Sequence, residues 1–125
     1  MKQRISIKPT IIKESEASIQ KQCVAWLWIQ HPSTRGQFFE VNNNPKNKID
    51  GARRKKMGMV AGVSDLMLLR KDLPPLCIEM KSAKGTQSTA QKEWQKVCES
   101  FGCVYVICRS LEEFQKIIQI NLVGY

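Results

Sequence analysis

The chain has no Cys-x-x-Cys pair and a single histidine, His31. A structural zinc site needs clustered Cys and His ligands, so none is expected. The five cysteines (Cys23, Cys77, Cys98, Cys103, Cys108) are odd in number, and each lies in or beside an apolar pattern. They are therefore expected to be reduced and mostly buried. No apolar run approaches the about 18 residues that span a bilayer, and the first residues lack a signal-peptide core. A cytoplasmic location, away from membranes, is expected. Acidic residues are scarce as well: 11 Asp and Glu stand against 20 Lys and Arg, a net charge of +9. On so short a chain that excess attracts polyanions, with nucleic acid the first candidate. The 125 residues suit one compact domain and not two.

The pattern predicts a basic N-terminal arm over residues 1–13 and one domain over 14–125. A helix is expected over 14–30, with Ile19, Cys23, Trp26 and Leu27 on one stripe, stopped by Pro32. His31, just before that proline, is expected to serve the helix end and not catalysis. Residues 37–42 read as a strand that stops at the Asn42-Asn43-Asn44-Pro45 turn cluster. The basic run 47–59 reads as a short helix or ordered loop. Strands follow at 65–70 and 76–81, joined by a hairpin connection over 72–75. Ser88 opens a helix whose apolar face is Trp94, Val97, Cys98 and Phe101, with Gly102 at its end. Residues 104–108 read as a buried strand. Ser110 caps a last helix that points Leu111, Phe114, Ile117 and Ile118 inward. A hairpin followed by a strand-helix-strand crossover implies an α/β fold, a mixed β-sheet flanked by helices on both faces.

Within that frame, Asp65 begins one apolar run and Glu79-Met80-Lys81 ends the next. Side chains alternate along a strand, so Glu79 and Lys81 share a face. If the two strands form a hairpin, Asp65 and Lys81 come near one end of it. An E-x-K pair on an exposed edge strand would be a weak surface ion pair and nothing more. Here Glu79 follows Leu76-Cys77-Ile78, which indicates a central strand, and Asp65 precedes residues that are otherwise apolar. A buried acid needs a partner. Two carboxylates and an ammonium in one place suit a divalent cation and a phosphate. Phosphodiester cleavage needs an activated water, neutralised charge and help for the leaving oxygen. Mg²⁺ or Mn²⁺ supplies these when held by one or two carboxylates, and hard oxygen ligands favour them over zinc. Asp65, Glu79 and the main-chain carbonyl of Met80 are the candidate ligands. Lys81 is placed to polarise the nucleophile or stabilise the pentavalent charge.

Glu16 precedes the stripe of the first helix by helical steps and can reach the sheet end, although a glutamate in a first helical turn is favourable by itself. Gln91 forms a capping-box pair with Ser88, and also opens the helix that follows Glu79 and Lys81. The run Arg53-Arg54-Lys55-Lys56, with Asn43 and Lys84, is the candidate phosphate-backbone surface; its plain alternative is a solvated helix face. Trp26, Phe101 and Phe114 are expected in the core. Trp28 lies off the stripe and is the one aromatic that the pattern leaves free to be exposed.

The succession Gly62-Val63-Ser64-Asp65, Ile78-Glu79-Met80-Lys81, Ser88-x-x-Gln91 and Phe101-Gly102-Cys103-Val104-Tyr105-Val106 resembles the VRR-NUC domain. That domain is a branch of the PD-(D/E)xK nuclease superfamily, with a restriction-endonuclease-like fold. Glu16-x-x-x-Gln20 and the Asn42-Asn43-Asn44 segment fit the same family, so the resemblance runs over about residues 14–120. It implies Mg²⁺- or Mn²⁺-dependent DNA cleavage, selective for branched DNA such as a Holliday junction. Small stand-alone members resemble phage or prophage proteins and dimeric junction resolvases, so a homodimer is expected. Carried over residue by residue, Asp65 and Glu79 are metal ligands, Lys81 is the catalytic lysine, and Glu16 and Gln91 support the site. Ser64 departs from the family, which usually has proline there; that proline stiffens a turn and is not a ligand. Two other readings suit the same residues. One is a non-catalytic nucleic-acid-binding module on this fold; the other is a nuclease acting on ordinary duplex DNA or on RNA.

Overall fold

A computed structural model describes residues 14–42 and 44–122. The expected arm at 1–13 and the candidate Asn43 lie outside the described residues. The elements in order are α1 (Glu16–Gln30), a 3₁₀ turn (Pro32–Thr34), β1 (Phe38–Glu40), α2 (Lys48–Lys56), β2 (Leu66–Arg70), β3 (Leu73–Met80), α3 (Thr89–Ser100), β4 (Val104–Cys108) and α4 (Leu111–Asn121). The four strands form one sheet in the order β1-β2-β3-β4. The β1–β2 and β2–β3 pairs are antiparallel and β3–β4 is parallel, so the expected mixed sheet is present.

Helices cover both faces. On one, Ile19, Cys23 and Leu27 of α1 and Phe114 and Ile118 of α4 pack on Phe38, Leu66, Leu68, Leu76, Ile78 and Met80. Each fully buried Leu, Ile or Phe contributes about 1.5–3 kcal/mol, so this layer is the main source of stability. On the other face, α3 sets Cys98 and Trp94 against Cys77, Tyr105 and Ile107. Helix ends follow their sequence signals. Ser15, Ser88 and Ser110 accept the main-chain N–H three residues on, and His31 ends α1 by donating its own N–H to Leu27 O.

Four expectations need correction. β3 begins at Leu73, so Pro74 and Pro75 are strand residues and not a loop. β4 pairs with β3 only from Leu76 onward, so on that side the prolines face no partner that needs their missing N–H. The strand also stops at Met80; Lys81 follows it, although its N–H still reaches Cys108 O at 3.0 Å. Phe101 is 79% exposed and Val97 51%, because Cys98 is the only buried residue of α3 and the chain turns away at Gly102 (φ +79°). Trp28 is not exposed: it packs against the larger core layer, and the Arg35 guanidinium lies 5.4 Å from its ring centre.

Candidate active site

The antiparallel register of β2 and β3 pairs Leu66 with Ile78. One further step places Asp65, at the mouth of β2, opposite Glu79 near the end of β3. This is why an acid before one strand meets an acid at the end of the next. The Met80 N–H donates to Asp65 Oδ2 at 2.8 Å, and the Asp65 carbonyl accepts the Val41 N–H at 2.8 Å. Asp65 is thereby fixed from both sides. The turn before it contains Ser64, fully buried, whose hydroxyl donates to Leu66 O at 3.2 Å. That local hydrogen bond restrains the turn that leads into Asp65.

Glu79 is 1% exposed on the central strand β3. Gln91 Nε2 donates to its Oε1 at 3.0 Å, while Oε2 is buried with no hydrogen-bond partner. Burial above all, then the Asp65 carboxylate and its negative charge, push the Glu79 carboxyl up to about 8 from the usual 4.5; Lys81 opposes them. Lys81 Nζ lies 4.0 Å from Glu79 Oε1 and 3.8 Å from Glu16 Oε1, with only 8% of the lysine side chain exposed. Glu16 itself is half exposed, at the first turn of α1. Gln91 also completes the capping box of α3: its Oε1 accepts the Ser88 N–H at 2.8 Å. The capping and site roles expected for it coexist in one side chain.

Glu16, Asp65, Glu79, Gln91, Ser88 and Lys55 line a cleft of about 390 Å³, and Lys81 sits behind Glu79 and Glu16 without lining it. Of the basic run, only Lys55 lines that cleft. Arg53 and Arg54 are turned to Asp50, at 3.1 and 2.9 Å, and they lower its carboxyl pKa alongside the Lys46 N–H, which is the largest cause. Lys56 and Lys84 are exposed on the surface. The structure therefore brings Glu16, Asp65, Glu79, Lys81 and Gln91 together, adds Lys55, and leaves Arg53 and Arg54 occupied.

A buried glutamate oxygen with no donor beside it is costly as a carboxylate unless it keeps a proton or takes a cation. Glu79 Oε2 next to Asp65 is an all-oxygen donor set, which suits Mg²⁺ or Mn²⁺ and not a soft metal. Among the described residues no three His, Cys, Asp or Glu side chains converge to hold a metal by themselves. A cation held here would draw its remaining ligands from a main-chain carbonyl, solvent and substrate, as Mg²⁺ commonly does.

Comparison with known proteins identifies the family and the fold. The family profile described as the VRR-NUC domain matches residues 10–112. A solved structure described as a "VRR_NUC domain protein" superposes with a TM-score of 0.72 at 21% identity, covering 87% of this chain and 88% of the other. At that identity the likeness speaks for the fold. No curated protein matches the chain.

Proposed function

Since the chain belongs to the VRR-NUC domain family, a nuclease-fold family, we propose that it is a metal-dependent endonuclease that hydrolyses DNA phosphodiesters. The observation that carries this reading is the unpartnered, buried Glu79 Oε2 beside Asp65, with Lys81 4.0 Å from the other Glu79 oxygen. Asp65, Glu79 and the Met80 carbonyl would hold Mg²⁺ or Mn²⁺, which supplies Lewis-acid stabilisation of phosphate charge.

The protein's own residues have separable parts. Gln91 holds Glu79 in one rotamer. Asp65 is held by the Met80 N–H. Lys81, positioned between Glu79 and Glu16, offers N–H donors to the attacking water or to the phosphoryl oxygens, where charge grows in the transition state. Lys55 binds a phosphate of the strand entering the cleft. No base-reading motif is evident, so substrate choice rests on backbone and shape. Branched DNA of the Holliday-junction kind is the proposed substrate, cut by a homodimer whose paired sites match the symmetry of a four-way junction. The place of action on this reading is the cytoplasm, as for a phage or prophage enzyme.

The test is cleavage of a labelled four-way junction beside its matched linear duplex, in Mg²⁺, Mn²⁺ or EDTA, with wild type and Lys81→Ala. Metal-dependent paired cuts in the junction, lost in the variant, support the proposal. Cutting of both DNAs retains the nuclease and discards junction selectivity. Binding without cutting in any condition replaces the enzyme by a DNA-binding module.

A further inference from the structure

Arg109 lies just beyond β4, outside the cleft residues, and its guanidinium is committed to main chain. Its Nη1 donates to Ser82 O and Gly85 O, both at 2.7 Å, and to Ala83 O at 3.4 Å. These carbonyls belong to the turn that leaves Lys81. The turn is tight: the Gly85 N–H donates to Ser82 O at 3.1 Å. A Cβ added at Gly85 would come within 2.9 Å of Ser82 Oγ and 3.5 Å of Lys81 Cδ. Gly85 therefore stands a Cβ's reach from the aliphatic stem of Lys81, and the space between them admits little more than a methyl group. The residue before Arg109 holds the same lysine by its backbone, Cys108 O accepting the Lys81 N–H at 3.0 Å. Arg109 is anchored in turn, its own N–H donating to Glu113 Oε2 at 2.7 Å in the first turn of α4.

We propose that Arg109 is the positioning residue for Lys81, fixing the Ser82–Gly85 turn beside the lysine stem so that the stem's room stays narrow and the ammonium stays between Glu79 and Glu16. The inference rests on the proposed catalytic role of Lys81. A buried lysine stem has many rotamers, and the ammonium is useful only in the one that faces the phosphate. Converging carbonyls repel one another unless a cation sits among them, and a guanidinium supplies several directed donors to such a cluster. Without it the turn relaxes and the lysine gains freedom. Arg109 is proposed to touch neither DNA nor metal, so its loss reaches turnover and not binding.

The test compares Arg109→Ala and Arg109→Lys with wild type and Lys81→Ala on the labelled junction in saturating Mn²⁺. The turnover rate, KM and DNA dissociation constant are measured separately. Arg109→Ala is expected to lower kcat by about 10–100-fold, with KM and Kd within about twofold, since small misplacements of a reacting group reach that size. Millimolar guanidinium is expected to restore part of the rate, and Arg109→Lys to retain more of it than the alanine variant. A folded Arg109→Ala with wild-type kcat overturns the proposal. So does a variant that loses only DNA affinity, which would make Arg109 a binding residue. Should Arg109→Ala fail to fold, Arg109→Lys and Arg109→Gln carry the same comparison. If Lys81→Ala cuts as fast as wild type, or nothing cuts, the reading of Lys81 is what fails. Amide exchange at Gly85 then decides: faster exchange in the Arg109 variants shows that the guanidinium holds the turn, and unchanged exchange removes even that.

Discussion

Gln91 donates to Glu79 Oε1 at 3.0 Å with one end of its amide and accepts the Ser88 N–H at 2.8 Å with the other. A helix cap is thus also the clamp on the buried acid, and α3 cannot shift at its first turn without moving Glu79. Gln91→Ala removes both contacts. It is expected to cost about 1 kcal/mol of stability through the cap and to slow cleavage by about tenfold through Glu79. Gln91→Glu keeps an acceptor for Ser88 but sets a second carboxylate against Glu79, so it should spare stability more than rate. Thermal melts and single-turnover cleavage separate the two. A destabilised Gln91→Ala that cuts at full rate would make Gln91 a cap alone.

Glu79 makes the metal-free protein sensitive to pH. Its carboxyl is raised from 4.5 to about 8, first by burial and then by Asp65. The sign follows from linkage. The folded state holds the proton more tightly than the unfolded chain, so below about pH 4.5 there is no penalty. As pH rises from there, the unfolded chain ionises while the folded one resists, and stability falls until about pH 8. Glu79→Gln has no such titration. In EDTA the variant should match wild type near pH 4.5 and exceed it at pH 8 by an amount on the order of a few kcal/mol. Millimolar Mg²⁺ or Mn²⁺ should reverse that order at pH 8, because ligand binding to the folded state stabilises only the wild type. A stability difference that stays flat across pH and ignores metal would show that Glu79 neither titrates as a buried acid nor binds a cation.

Much of this site is written in local signals. Strand alternation places Glu79 and Lys81 on one face, the Ser88-x-x-Gln91 spacing announces a cap, and the Ile19, Cys23, Leu27 stripe gives α1 its buried side. These depend on neighbours a few residues apart. The Asp65–Glu79 meeting needed the hairpin register, which two short apolar runs suggest but do not determine. Phe101 misled because an aromatic at helical spacing looks like core, whereas the helix ends there and the chain reverses at Gly102. The Pro74-Pro75 pair looked like a turn because strand prolines are tolerated only where no partner wants their N–H, and that depends on where β4 begins. Arg109 gave no signal at all: the carbonyls it holds are 24 to 27 residues earlier. Arg53 and Arg54 read as free cations because their partner, Asp50, lies in the same helix and only geometry shows it to be engaged.

Gly62 joins the Asp65 turn to α3. Its φ is +84°, and an added Cβ would collide with the Ala90 carbonyl and lie 2.7 Å from Gln91 N. Both obstacles are backbone, so they cannot swing aside. Gly58 has φ +102° but open space around it. Gly58→Ala should therefore cost only the left-handed conformation, about 1–2 kcal/mol. Gly62→Ala should cost overpacking as well, about 2–5 kcal/mol in all. It should also lose activity beyond what its stability explains, because the displaced turn carries Asp65 and presses on Gln91. Chemical denaturation and cleavage of the two variants side by side would reveal this. Equal losses in both would mean that the close approach at Gly62 has no bearing on the site.

The basic run divides by geometry, and salt dependence can detect the division. Each phosphate contact releases counterions, so losing one lowers the slope of log affinity against log salt by about 1. Lys55 lines the cleft and has no acidic partner among the described ion pairs, whereas Arg53 and Arg54 are paired with Asp50 at 3.1 and 2.9 Å. A phosphate that recruits either arginine must displace that carboxylate, and the exchange returns little. Lys55→Ala should therefore flatten the salt slope by about 1 and weaken binding equally for all sequences. Arg53→Ala should change it by much less. Asp50→Asn removes the charge that pairs with both arginines, and non-specific affinity at low salt should rise even as the start of α2 weakens, because a neutral amide accepts the Lys46 N–H less strongly than a carboxylate and no longer complements the helix N-terminus. Fluorescence anisotropy with a labelled duplex over a range of potassium chloride measures all three slopes. A full unit lost on Arg53→Ala, with none lost on Lys55→Ala, would reverse the assignment and put the DNA backbone on the outer side of α2 instead of at the mouth of the cleft.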